Sequence, residues 1–139
     1  MRLQNGAKLK IEAHIYAAED QQRLGRYMLW VACAEELSPY YAPNAKCITV
    51  WCPLDDADPP RNGDLAKAGA ASALVAGVLS AGHPVLVTCQ AGLNRSALVA
   101  GLALRQLGMP GRTVIDNIRM ERGQYALCNK AFERAVMKG

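Results

Sequence analysis

Eight consecutive residues, Cys89-Gln90-Ala91-Gly92-Leu93-Asn94-Arg95-Ser96, bring together a thiol, small and polar residues, a guanidinium and a hydroxyl. A cysteine attacks only as thiolate, and its ordinary pKa near ~8.5 falls to roughly 3.5–7.5 beside a helix N-terminus or cations. Ala91 and Gly92 let successive backbone N–H groups curl inward as an anion-binding nest. A helix opening at Ser96 adds unpaired N–H groups and the positive end of its dipole. Arg95 supplies a planar fork that matches two oxygens of a phosphate. The chemistry this set can perform is attack of a sulfur anion on a bound tetrahedral anion. The alternative makes Cys89 a core cysteine and Arg95 a solvated residue at a helix start. It leaves the joint arrival of Gly92, Arg95 and Ser96 between a strand and a helix unexplained.

Expelling an alkoxide or phenoxide from a phosphomonoester requires a proton donor. The stretch PLDDADPPRNGD offers Asp55, Asp56, Asp58 and Asp64, and Asp64 is better placed to cap the helix that follows. His14 and His83 are the only histidines. His83 sits in a Gly-His-Pro helix stop, and His14 on an edge strand has no evident partner. The five cysteines (Cys33, Cys47, Cys52, Cys89 and Cys128) show no C-x-x-C spacing, and no metal-ligand cluster or cofactor motif accompanies them. No metal or cofactor is expected.

The elements that must position these groups follow from periodicity. Met28–Ala34, Cys47–Leu54 and Pro84–Thr88 are short apolar runs bounded by turn or charged residues, as for strands buried on both faces. Leu9–Tyr16 alternates more and reads as an edge strand. Helices are expected from Asp64, with Leu65, Ala68, Ala71, Val75 and Val78 on one face, and over Ser96–Leu107, closed by Gly108. Further helices are expected over Arg112–Arg122 and after Asn129, whose side chain can cap the last one. Trp30 and Trp51 fall inside strands and read as core. Alternating strands and helices predict a three-layer α/β domain with a central, mainly parallel sheet flanked by helices, one domain over residues 1–139. A strand ending at Cys89 delivers the thiol to the carboxyl edge of such a sheet, where open α/β folds place ligands.

Composition is that of an ordinary globular protein: 51% hydrophobic, 20% charged, net charge +4. The charge mildly favours anionic partners. The amino-terminal residues lack an apolar signal core, and no window is long and apolar enough to span a bilayer, so no membrane association is expected. Free thiols fit a reducing cytoplasm.

CQAGLNRS has the C-x5-R-S form of the cysteine-based protein phosphatases, and VLVTCQAGLNRSALVAGLAL resembles the catalytic segment of a compact dual-specificity phosphatase. The resemblance runs from about Met28 to the C-terminus. It includes Pro53-Leu54-Asp55-Asp56, where the family carries its general acid, and Asn129 and Phe132 in the place of a downstream Asn-x-x-Phe. It implies a protein tyrosine phosphatase-like fold, Cys89 as nucleophile, Asp56 as general acid with Asp55 and Asp58 as runners-up, and Ser96 as donor to the departing thiolate. Gln90, Ala91, Gly92, Leu93, Asn94 and Arg95 would hold the phosphate. Thr88 departs from the family, which has His there; its hydroxyl could still bond the loop, with a less acidic cysteine or a slower enzyme as the cost. Asn94, where many relatives have Gly or Ser, tolerates a left-handed backbone.

The implied function is hydrolysis of phosphotyrosine, and of phosphoserine or phosphothreonine, on a phosphorylated protein by a monomer. GLNR also resembles the loop of RNA 5′-triphosphatases, but no aromatic-plus-basic stacking stripe is visible and nucleic acid is not favoured. Phosphoinositides are a further alternative, although the extra lysines of such loops are missing. A catalytically silent phosphate-binding module is a reading of another class, with Thr88 its best support. Arg112, Arg119 and Arg122 either extend a basic rim around the pocket or form a solvated helix face.

Overall fold

The computed structural model describes residues 1–16, 22–39 and 47–139. Strands β1 (Leu9–Ala13), β2 (Leu29–Ala34), β3 (Ile48–Leu54) and β4 (Val85–Cys89) form one sheet in the order β1-β4-β2-β3, with every pairing parallel. Helices α1 (Asp64–Ser80), α2 (Arg95–Gln106), α3 (Gly111–Arg122) and α4 (Lys130–Lys138) accompany the sheet, and residues 22–24 are also helical. The central strands β2 and β4 are buried at every residue, which is why both read as continuous apolar runs.

Alternation along the strands divides the core. Leu9, Ile11, Leu29, Val31, Cys33, Val85, Val87 and Cys89 face the helices and join residues of α1 to α4 in one cluster. On the opposite face Trp30, Ala32 and Leu86 pack with Ile15, Leu24 and Tyr27 from the segment between β1 and β2. Trp30 is fully buried there, and its indole N–H donates to Thr88 Oγ1 at 2.8 Å. The Thr88 hydroxyl is thus held by the sheet's second face, and not by the loop after Cys89 that it could have bonded.

Three expectations need correction. Cys47–Leu54 does contain a strand, but β3 is the second edge of the sheet, with Ile48 56% and Trp51 40% exposed. Trp51 is not core; its indole donates to the Ala34 carbonyl at 3.1 Å. Edge position also explains how β3 tolerates Pro53, beside a register irregularity between β2 and β3. In α1 the buried stripe is Asp64, Ala68, Ala71, Ser72, Val75, Ala76 and Leu79; Leu65 lies off it, and Val78 is half-buried against the core at its margin. Gln106 of α2 donates to Ser72 Oγ at 2.7 Å, giving that buried hydroxyl a partner. Asp64 is the first residue of α1 and makes no cap bond. Its buried carboxylate instead accepts from the Asp55 N–H at 2.9 Å and from Arg61, which fixes where the chain leaves β3.

No described helix is long and apolar enough to cross a membrane. The position of the α1 stripe has a direct test. Leu79→Ala should destabilise by about 2–5 kcal/mol in urea unfolding, and Leu65→Ala by about 0.5 kcal/mol or less. Equal losses would mean that the stripe is misplaced.

Candidate active site

The last residue of β4 is Cys89, paired in register with Ala13 of β1. The chain then turns through 90–94 and enters α2 at Arg95. Gly92 makes this turn feasible in two ways. Its φ is +72°, and an added Cβ would meet the Glu12 carbonyl carbon at 2.6 Å and its oxygen at 2.8 Å. Backbone lies against backbone there, so only glycine fits. From below, Arg122 of α3 donates from Nε to the Gly92 carbonyl and from Nη2 to the Ala91 carbonyl, both at 3.1 Å. With these carbonyls turned outward, the loop's N–H groups face in.

They face the sulfur. Hydrogen bonds reach Cys89 from the N–H groups of Gly92, Leu93 and Ser96, and Ser96 Oγ lies 3.1 Å from Sγ. Burial pushes the Cys89 thiol up, yet these four bonds outweigh burial and hold it below its ordinary value. The other buried thiols behave oppositely: burial drives Cys33 well up and Cys52 up to about 11. Cys89 is therefore distinguished by its donors and not by its depth.

Arg95 is 8% exposed. Its Nη1 and Nη2 clasp the two oxygens of Glu36 at 2.6 and 2.8 Å, and Nη1 also donates to the Leu54 carbonyl at 3.0 Å. Of the five guanidinium hydrogens, three are thereby placed. The Nε–H and the second Nη2 hydrogen have no partner among the described residues. They are adjacent, and together form the side-on fork that two oxygens of a tetrahedral anion can take. The hydrogen bonds from Arg95 hold the Glu36 carboxyl down at about 2. Glu36 was not among the residues singled out from sequence; a lone acid in a loop after β2 carries no pattern.

The acid loop leaves β3 at Leu54. Asp55, Asp56 and Asp58 are all exposed. Asp56 is the one whose carboxylate is bonded to the loop after β4: Asn94 Nδ2 donates to Oδ2 at 3.0 Å and Asn129 Nδ2 to Oδ1 at 2.8 Å. Asp58 instead lies 3.8 Å from Arg134, and Asp55 contributes its backbone N–H to Asp64. Asn129 also caps α4, its Oδ1 accepting from the Phe132 N–H at 3.2 Å. Asn94 has φ −119°, so the left-handed conformation allowed for it is not used.

The structure thus brings Cys89, Gly92, Leu93, Asn94, Arg95, Ser96, Asp56 and Asn129 to one edge of the sheet. Gln90 and Ala91 lie exposed at the mouth of the turn. The basic rim does not form from the expected arginines. Arg122 braces the loop from beneath, Arg119 bonds the Ala126 and Leu127 carbonyls and Glu133, and Arg112 pairs with Asp116. His83 is exposed before β4, at the far end of the strand from Cys89. His14 follows β1, edge-on to Tyr16 with ring centroids 5.0 Å apart.

No family model and no curated protein matches the chain. Its fold does match solved structures. Human DUSP28 superposes with a TM-score of 0.73 at 19% identity, over 94% of this chain and 91% of that one. DUSP15 gives 0.73 at 19% identity, over 94% and 81%. OH1 from the Orf virus, a tyrosine phosphatase with triple substrate specificity, gives 0.68 at 22% identity, over 98% and 84%. At such identities the likeness establishes the fold, which is that of the dual-specificity and tyrosine phosphatases.

The Glu36 clasp predicts an effect on anion affinity. Glu36→Gln frees the end of the Arg95 guanidinium and removes the charge that orients it, so inorganic vanadate should bind about tenfold more weakly, the equivalent of one charge-assisted hydrogen bond. Unchanged vanadate affinity, measured by calorimetry, would show that Arg95 needs no such anchor.

Proposed function

We propose that this chain is a cysteine-dependent phosphatase that hydrolyses phosphomonoesters on proteins, phosphotyrosine and also phosphoserine or phosphothreonine, through a phosphocysteine intermediate. The observation that carries this reading is a sulfur surrounded by four hydrogen-bond donors, with a carboxylate, Asp56, tied to the same loop. The protein substrate is supported by the fold shared with dual-specificity phosphatases and by the loop motif.

In this reading the reaction has two steps. The phosphate sits in the turn, two oxygens on the open fork of Arg95 and the others on the inward amides. The Cys89 thiolate attacks phosphorus, the P–O bond to the substrate breaks, and Asp56 gives its proton to the departing oxygen. Asp56, now a carboxylate, takes a proton from a water that attacks the phosphocysteine. The P–S bond breaks, inorganic phosphate leaves, and the thiolate is restored beside the Ser96 hydroxyl. Thr88 has its own partner in Trp30, and the four donors on the sulfur are supplied without a histidine at that position. That arrangement supports an active enzyme over a silent module. A thiolate nucleophile further implies a reducing compartment such as the cytoplasm.

Hydrolysis of p-nitrophenyl phosphate tests the chemistry. Wild type should turn over in the presence of EDTA, Cys89→Ser should be inactive, and Asp56→Ala should lose about 10²–10⁴-fold in kcat, the usual share of general acid catalysis. Activity surviving in Cys89→Ser would defeat the proposal, and a larger loss in Asp55→Ala or Asp58→Ala would reassign the acid. A phosphotyrosine peptide should be hydrolysed faster than a triphosphate-ended RNA; the reverse order would move the substrate to nucleic acid.

A further inference from the structure

Asparagine is among the best helix N-caps, accepting an N–H of the first turn on its side-chain oxygen. Asn94 stands at the N-cap of α2 and makes no such bond. Its Oδ1 accepts the backbone N–H of Asn129 at 3.0 Å instead, and its Nδ2 donates to Asp56 Oδ2 at 3.0 Å and reaches Cys128 Sγ at 3.4 Å. A residue suited to one task is committed to another.

The orientations of both amides follow from fixed donors. A backbone N–H can only donate, so the Asn129 N–H requires the oxygen of Asn94, and the Phe132 N–H requires the oxygen of Asn129. Both NH₂ groups must then point away from those donors, and both meet Asp56: Asn94 at Oδ2, Asn129 at Oδ1 and at the Ala57 carbonyl, 3.0 Å away. The loop 123–128 that delivers Asn129 is itself pinned, with the Leu127 N–H on the Leu93 carbonyl at 2.8 Å and buried Leu127 held at φ +59°. Each carboxylate oxygen receives one amide and keeps a second lone-pair site, where a transferable proton can sit without breaking the clasp.

We infer that Asn94 is a positioning residue: through its side-chain amide the phosphate-type loop itself sets where the Asp56 carboxyl stands, and Asn129 completes the clasp from α4. This rests on the phosphatase reading above and specifies how its acid is held. The Asn94 side chain bonds Asp56, Cys128 and the Asn129 N–H and makes no bond to the Cys89 sulfur; it acts through Asp56. Its loss should therefore be felt in proportion to the leaving group's need for a proton, which a general weakening of the loop would not produce.

The test compares kcat/KM for phenyl phosphate and p-nitrophenyl phosphate in wild type, Asn94→Ala, Asp56→Asn and the double variant, with Cys89→Ser as the blank. Asn94→Ala should lower the phenyl-to-p-nitrophenyl ratio by about tenfold, part of the general-acid contribution. In the Asp56→Asn background the same change should have almost no effect on that ratio, since coupled residues are non-additive. An unaltered ratio in Asn94→Ala, or a full and additive loss in the double variant, would overturn the inference while leaving the phosphatase reading intact. Absence of Cys89-dependent turnover in wild type would instead overturn the phosphatase reading, and this inference with it.

Discussion

The hydrogen-bonding of one sulfur, at the end of a central strand, is the constraint around which the carboxyl edge of the sheet is built. Burying a thiolate is costly unless its charge is met by donors. Here three backbone N–H groups and a hydroxyl meet it, and the thiol sits below its ordinary value despite its depth. Those donors converge only if the turn is tight. The turn is tight only because Gly92 lies directly on the backbone of β1 and because Arg122 holds two carbonyls outward. A substitution at Gly92 would therefore act on sulfur chemistry through backbone geometry.

A second layer of charge fixes the surroundings. Glu36 occupies the end of the Arg95 guanidinium and Leu54 takes one more hydrogen, which leaves the side-on fork toward the turn. Leu54 is also the last residue of β3, and its successor is tied to Asp64 at the start of α1. The arginine and the acid loop are consequently located by one strand end. Asn94 and Asn129 close the circuit by joining that loop to the turn after β4.

What could be read from the sequence were the features written in local pattern. The switch from an apolar strand run to a helix around Cys89–Ser96 marked the turn and its place at the carboxyl end of β4. The cap at Asn129 was likewise a local signal, borne out by its bond to the Phe132 N–H. Features that depend on distant pairing were not legible. Glu36 lies 59 residues from the arginine it holds, and nothing in its own neighbourhood marks it. An apolar run looks alike in a central and an edge strand, so sequence alone does not show that β3 is an edge or that Trp51 is exposed. In α1 the alanine-rich sequence leaves the buried face ill-marked, and Leu79 takes the place expected for Val78. Asp64 had a sound local role as a cap, and tertiary partners drew its side chain elsewhere.

The central claim is electrostatic, and its most direct test is the titration of the sulfur itself. The ultraviolet absorbance of the thiolate, followed against pH as the difference between wild type and Cys89→Ser, isolates this one group. A midpoint clearly below the ordinary thiol value near ~8.5 is the predicted result, moving upward in Ser96→Ala as one donor is lost. A midpoint at or above that value in the wild type would mean that burial prevails over the ring of donors, and the account would fail at its foundation.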